Sequence, residues 1–327
     1  MNSTWKQRPE GGGKFALWLL RGIACHGGRG LARTLLLPIT AYFMLVRGPE
    51  RHASRAYLTR VLGRPSGWRE TARHIHTFSS VILDRVFLLS GRMDQFRVDV
   101  TGLENLHTQL DKGRGLLIFG SHLGSFDALR VLAQKRPDVQ LRVVLDKAQA
   151  PALTELLGAL NPQLASCIID ASMDSTSIVM AIKQATDEGH PVAMLVDRSR
   201  PEDATLPAQF LGAQAPFPTS PWLIAALLKV PVVLAFGLYH GKAHYSLSFE
   251  VYSEGLEVSR RNRAATLGAL IRGYAERLEH YARLAPYNWF NFYDFWNTKH
   301  VEGSVQADLD ADADAAVQRR TAVRRVA

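Results

Sequence analysis

Gly115-Leu116-Leu117-Ile118-Phe119-Gly120-Ser121-His122-Leu123-Gly124-Ser125-Phe126-Asp127 opens as an apolar run of strand length and closes in the small and polar residues of a turn into a helix. An unbroken apolar run, rather than an alternating one, predicts a strand covered on both faces, as in a parallel sheet flanked by helices. Comparable runs lie on either side of it, at Phe96 to Val100, Leu141 to Asp146, Ser166 to Ala171, Pro191 to Asp197 and Val230 to His240. Helical patterns separate them at Phe126 to Gln134, Ala152 to Leu160, Met173 to Glu188 and Pro221 to Lys229, with longer ones at Trp68 to Leu89 and Ser259 to Leu284. Strand and helix in alternation predict an α/β fold, a largely parallel mixed sheet flanked by helices. His244 to Tyr252 differs: Tyr245, Leu247, Phe249 and Val251 alternate with polar residues, the pattern of a half-exposed edge strand.

With 47% apolar and 21% charged residues in 327 positions, the chain can fill a large core, which excludes a disordered or polytopic membrane protein. Cys25 and Cys167 form no C-x-x-C pair and join no tight histidine cluster, so neither a disulfide framework nor a metal site is expected. The net charge of +9 sits almost wholly in residues 1 to 65, where eleven Lys and Arg face only Glu10 and Glu50. That stretch also carries two short apolar runs, Phe15 to Leu20 and Thr34 to Val46, each below the roughly 18 residues that span a bilayer. Basic residues beside short apolar runs, with Trp5, Trp18 and Tyr42 for the headgroup level, describe a segment lying in the membrane interface; a core-packed helical hairpin is the alternative. No helix-turn-helix, zinc-knuckle or RNP-type pattern accompanies the charge, so nucleic acid is not an expected partner. The expected organisation is a basic membrane-associating helical segment at 1–66, an α/β domain at 67–300 and a disordered tail at 301–327.

In open α/β sheets ligands bind at the carboxyl ends of the strands. His122 emerges where the run from Gly115 ends, and Asp127 falls in the first turn of the next helix, within reach, on this reading, of the imidazole Nδ1 proton. Such an acid would fix the tautomer and leave Nε2 to take a proton from an alcohol. Gly120 and Gly124 leave the backbone open to a substrate, and Ser125 is placed to cap the helix. The spacing alone is weak: with eleven His and thirty acids in the chain, chance supplies about one such pair. A structural histidine stays open beside the catalytic one.

Gly120-Ser121-His122 through Asp127 resembles the H-x-x-x-x-D/E signature of the lysophospholipid acyltransferase superfamily. Asp197-Arg198, then Gln209-Phe210-Leu211-Gly212-Ala213, Phe217-Pro218 and Val230 to Leu234, are similar to the second half of its bacterial lipid A late acyltransferase branch. The aromatic ending Asn288 to Trp296 with His-Leu-Gly-Ser-Phe-Asp is similar to acyltransferases associated with aryl polyene and xanthomonadin pigments. The resemblance implies a glycerolipid acyltransferase-like fold and an acyltransferase with His122 as general base and Asp127 as its orienting acid. It implies no cofactor, the donor being an acyl carrier protein or coenzyme A thioester and the acceptor a hydroxyl of a membrane lipid or glycolipid. It also implies a place at the cytoplasmic face of the inner membrane, by a monotopic or single short anchor. Two departures stand out: Asp127 where that branch commonly has Glu, and an anchor interrupted by Arg21, Arg29 and Arg33.

Other candidates have plainer readings beside them. Asp197, Arg198 and Arg200 follow a strand end and are expected to hold a phosphate or phosphopantetheine, against a surface salt bridge. Ser125, Phe210 and Gly212 join them as substrate-binding candidates, Phe210 and Gly212 along an acyl channel, against loop packing. The seven aromatics of Tyr287 to Trp296 pack a core or cover an acyl pocket. Arg69, Arg73, His74, His76 and Arg85 would meet an acidic carrier protein or form a solvated face. Two competing functions remain: a thioesterase or esterase using the same pair with water, for which no G-x-S-x-G elbow is present, and a non-catalytic membrane adaptor.

Overall fold

A computed structural model of the chain describes residue 22 and residues 28–130, 139–149, 151–199 and 203–296. Its centre is a seven-stranded sheet in the order β1-β9-β8-β2-β5-β3-β4. The strands are β1 (Arg97–Thr101), β2 (Leu117–Gly120), β3 (Arg142–Leu145), β4 (Ile168–Asp170), β5 (Val192–Leu195), β8 (Val232–Gly241) and β9 (His244–Ser253). All neighbours pair in parallel except β8 and β9, which form an antiparallel hairpin. β6 (Thr205–Phe210) and β7 (Ala213–Pro218) make a separate antiparallel pair.

The apolar run at 115–120 is the middle of the molecule because each successive side chain buries into a different core. Leu117 and Phe119 enter a cluster with Val192, Met194, Val232 and Leu234, while Leu116 and Ile118 enter the cluster on the other face with Ala193 and Val233. All four residues of β2 are buried. The alternation of β9 holds through Tyr245, Leu247 and Phe249, which point inward, and ends at Val251, which is exposed. Its position differs from expectation: β9 lies between β1 and β8, and β1 is the edge. β1 is too polar, and its exposure too regular, to announce itself as the strand that covers β9.

Helices α1 (Leu36–Val46), α2 (Gly48–Leu62) and α3 (Trp68–Leu89) precede the sheet. The helical stretch Gly28–Val46 is 19 residues long and apolar enough to cross a membrane, longer than the sequence runs suggested because it includes the glycines and arginines that were read as a break. One face of it packs inward through Ala32 and Leu36, while Leu31, Leu37, Tyr42, Leu45 and Val46 are exposed. Arg29 and Arg33 turn toward the protein. Arg29 Nε donates to the buried Asp84 at 2.8 Å, and Arg33 donates to Tyr239 Oη at 3.1 Å. Tyr57, Leu58 and Val61 of α2 belong to the central core, so this part of the basic N-terminal stretch is continuous with the α/β body. The expected tail at 301–327 and the first apolar run at 15–20 lie outside the described residues.

Candidate active site

Strand order assembles the site. β2 and β5 are parallel neighbours with Gly120 opposite Leu195, and Val196 N–H donates to Gly120 C=O at 3.1 Å. Two residues beyond that last pair stand His122 on one strand and Asp197 on the other. Equal offsets on adjacent parallel strands bring the two side chains together. His122 Nδ1 lies 2.8 Å from Asp197 Oδ1, and the His122 backbone N–H donates to Asp197 Oδ2 at 3.0 Å. The Trp289 indole N–H donates to the same Oδ2 at 2.9 Å. Asp197 is fully buried, whereas about a third of the imidazole (32%) remains open to a cavity.

The loop after β2 is held from both sides. Gly124 N–H donates to Asn288 C=O, Ser125 N–H to Gly237 C=O, each at 2.8 Å, and Phe290 N–H to His122 C=O at 2.8 Å. Gly124 has φ of 62° and its backbone lies so close to β8 that a Cβ there would stand 1.7 Å from Gly237 C=O. Only glycine fits this close approach.

Asp127 occupies the first turn of a 3-10 helix, Phe126–Arg130, as the sequence predicts, but it is not the partner of His122. Its carboxylate accepts from Arg85 Nε at 2.6 Å. The i, i+5 spacing carried no information on direction: the turn through Gly124 and Ser125 sends the two side chains to different neighbours. Arg85, read as part of a carrier-facing or solvated helical face, instead lines the cavity beside His122.

Charges follow this geometry. Burial, then the Arg198 cation, pull the His122 pKa below its ordinary 6.5, and the Asp197 charge only partly offsets them. Burial alone would raise Asp197, but the imidazole, Arg198 and the indole hold it down at about 2. The ionised carboxylate therefore accepts the Nδ1 proton of a neutral imidazole, leaving Nε2 unprotonated.

The cavity beside the imidazole has a volume of about 330 Å³. Its lining includes Ser121, His122, Arg85 and Arg198, apolar Phe78 and Phe292, and Phe43 and Glu50 from the N-terminal helices. Arg198 donates to Phe290 C=O, and its guanidinium lies 5.5 Å from the Tyr293 ring centre. The buried Arg198 Nε has no hydrogen-bond partner among the described residues. A second cavity of about 550 Å³ adjoins the first, sharing Arg85, Phe126 and Leu195, and is walled by Leu141, Val143, Leu157 and Ile168.

The remaining candidates disperse. Phe210 is buried in an aromatic cluster, 5.1 Å from the Trp289 ring and 5.8 Å from that of Phe295, and lines neither cavity. Gly212, with φ of 79°, follows Leu211, with φ of 51°, in the two-residue turn between β6 and β7, a conformation glycine favours. Ser125 is buried with an Oγ that makes no hydrogen bond among the described residues, so it does not cap the helix. Asp197 is engaged by His122 and Trp289 and is not free for a phosphate. Arg200 lies outside the described residues. The carrier-facing set also separates: His74 is buried and Arg73 stacks on Tyr287, 4.3 Å from its ring centre. Trp289 was visible only as one aromatic among seven, with nothing in the sequence to mark its N–H as a partner of Asp197.

A histidine bonded to a buried carboxylate at the carboxyl end of a central parallel strand, beside a cavity with apolar walls and two cations, lies where α/β sheets place their ligand sites. The model of the bacterial lipid A biosynthesis acyltransferase family matches residues 68–298, well over half of the chain, and the protein belongs to that family. It is therefore an acyltransferase of lipid biosynthesis, acting on a lipid acceptor. The match begins at the start of α3, so α1 and α2 stand before it. No curated protein matches the sequence.

Proposed function

We propose that the protein moves an acyl group from a carrier-protein or coenzyme A thioester to a hydroxyl of a membrane lipid or glycolipid, with His122 as general base and Asp197 as the acid that orients it. The observation that carries this reading is the 2.8 Å contact between His122 Nδ1 and the buried Asp197, on a ring that also lines the cavity. Nε2 takes the hydroxyl proton as the alkoxide oxygen attacks the thioester carbonyl. The tetrahedral intermediate then expels the thiolate, which leaves as the thiol after taking up a proton. The guanidinium of Arg198, in the wall of the cavity beside the imidazole, supports a part for this cation in holding the developing oxyanion or a phosphate of the donor. Neither a metal nor an organic cofactor has a part in this chemistry.

The exposed apolar face of Gly28–Val46 supports seating the protein at a membrane surface, and Phe43 and Glu50 in the cavity wall support entry of the acceptor from that side. The cytoplasmic face of the inner membrane is where thioester donors are found, and an acyl carrier protein is the donor partner this reading favours. The aromatic ending Asn288 to Trp296 supports the finer proposal of a role in aryl polyene pigment assembly.

His122→Ala is expected to abolish transfer to a lipid hydroxyl while leaving the unfolding midpoint within a few degrees of the parent. A folded His122→Ala protein that still transfers the acyl group overturns the base assignment. Release of free acid in place of an acylated acceptor, measured with and without a lysolipid, would move the protein to the thioesterases.

A further inference from the structure

We infer that Trp289 is a positioning residue of the reaction: its indole N–H, together with the backbone it carries, holds Asp197 and the His122 loop in the geometry that lets the imidazole act. The inference rests on the reading of His122 as the base. Trp289 does not line the cavity, so it touches neither substrate. Among the described residues Asp197 has three hydrogen-bond donors, and they are divided between its oxygens. Oδ1 takes the imidazole Nδ1–H, and Oδ2 takes the His122 amide and the indole. Without the indole, Oδ2 would keep a single donor in a fully buried place, where an unmatched carboxylate lone pair is costly. The carboxylate would then turn toward its remaining partners and carry the imidazole with it.

The backbone around Trp289 serves the same end. Asn288 C=O accepts from Gly124 and Phe290 N–H donates to His122 C=O, so the segment straddles the catalytic loop. The Asn288 side chain fixes this segment to β8, accepting from Tyr239 N–H at 2.7 Å and donating to Tyr239 C=O at 3.1 Å. On its far side Trp289 C=O accepts from His74 Nε2–H at 2.9 Å. His74 Nδ1 in turn accepts from Ser54 Oγ at 2.8 Å. A continuous chain of matched groups thus runs from α2 through α3 and Trp289 to Asp197 and His122. The indole itself is locked by rings, 5.1 Å from Tyr57 and 4.9 Å from Phe295 between centres.

Trp289→Phe keeps the ring volume nearly filled and removes the N–H. Its expected signature is a kcat about 10- to 100-fold lower with KM for donor and acceptor unchanged, since misplacement of a reacting group acts on the chemical step. The acid limb of the kcat/KM profile should also move upward, because a less satisfied carboxylate pulls harder on the imidazole proton and makes the ring more basic. In an Asp197→Asn background the same substitution should cost little more. A second measurement needs no Trp289 variant: one of the six tryptophan indole N–H resonances should shift in Asp197→Asn. A folded Trp289→Phe protein with parental kcat and an unmoved acid limb overturns the inference. So does a loss that multiplies in full with that of Asp197→Asn, or a set of indole resonances indifferent to Asp197→Asn. If His122→Ala is inactive while Trp289→Phe is parental, this inference alone fails; an active His122→Ala removes the reading beneath it.

Discussion

Two carboxylates lie near His122 in different senses. Asp127 is near in the chain, five residues on, and sits largely buried in the wall of the second cavity, against the Arg85 that lines both. Asp197 is 75 residues away, fully buried, and bonded to the ring. The contrast teaches that a short motif on a turn between a strand and a helix reports where side chains start, not where they meet. Asp197 has the setting that the proposed orienting acid requires: donors on both oxygens, no solvent, and a charge held at low pKa. Asp127 is built as a counterion, fixing Arg85 where the cation shapes the cavity wall.

The sharpest way to break this comparison is to neutralise the two acids in turn. Asp197→Asn should lower kcat by roughly 10² to 10⁴, the range that positioned acid–base catalysis supplies. Asp127→Asn should stay within about tenfold and act mainly on KM, since its carboxylate engages Arg85 of the cavity wall rather than the imidazole. Steady-state kinetics with a thioester donor decide it, and equal losses at both positions would return Asp127 to the base.

A smaller effect concerns the cation beside the pair. Arg198 is second only to burial in holding the His122 pKa down, so Arg198→Met should shift the acid limb of the rate profile to higher pH. A limb that stays put, or moves down, would separate Arg198 from the imidazole electrostatically.

The smallest expected effect lies on the far side of Trp289. His74 is buried neutral, desolvation taking its pKa from 6.5 to about 4. The unfolded chain therefore binds a proton there that the folded chain refuses, and the contribution of His74 to stability is complete above about pH 6.5 and lost as pH falls toward 4. Denaturant midpoints measured between pH 7 and 4.5 should fall, and His74→Gln should flatten that dependence. An identical slope in the variant would show that other groups carry it.

Much of the architecture was legible because burial on both faces leaves a plain trace. The runs Gly115 to Gly120 and Pro191 to Asp197 read as strands covered on both faces, and both lie in the interior of the sheet. The β6–β7 hairpin escaped notice since Pro207, Pro216 and Pro218 interrupt its pattern, and the inner place of β9 was hidden because the strand covering it is polar. Arg29 read as an interruption of an anchor and is instead the partner of a buried aspartate, a distinction that charge patterning cannot make.

By itself the sequence determined that His122 stands at the end of a buried strand, that Asp197 ends another, and that apolar and basic residues share the N-terminal stretch. These follow from local periodicity, which each segment expresses alone. The tertiary structure decided that the two strands are neighbours in register, that Trp289 returns from the end of the fold to bond Asp197, and that Asp127 faces Arg85. Those pairings depend on sheet order and on the direction of one glycine-bearing turn, and neither is a property of any segment taken singly.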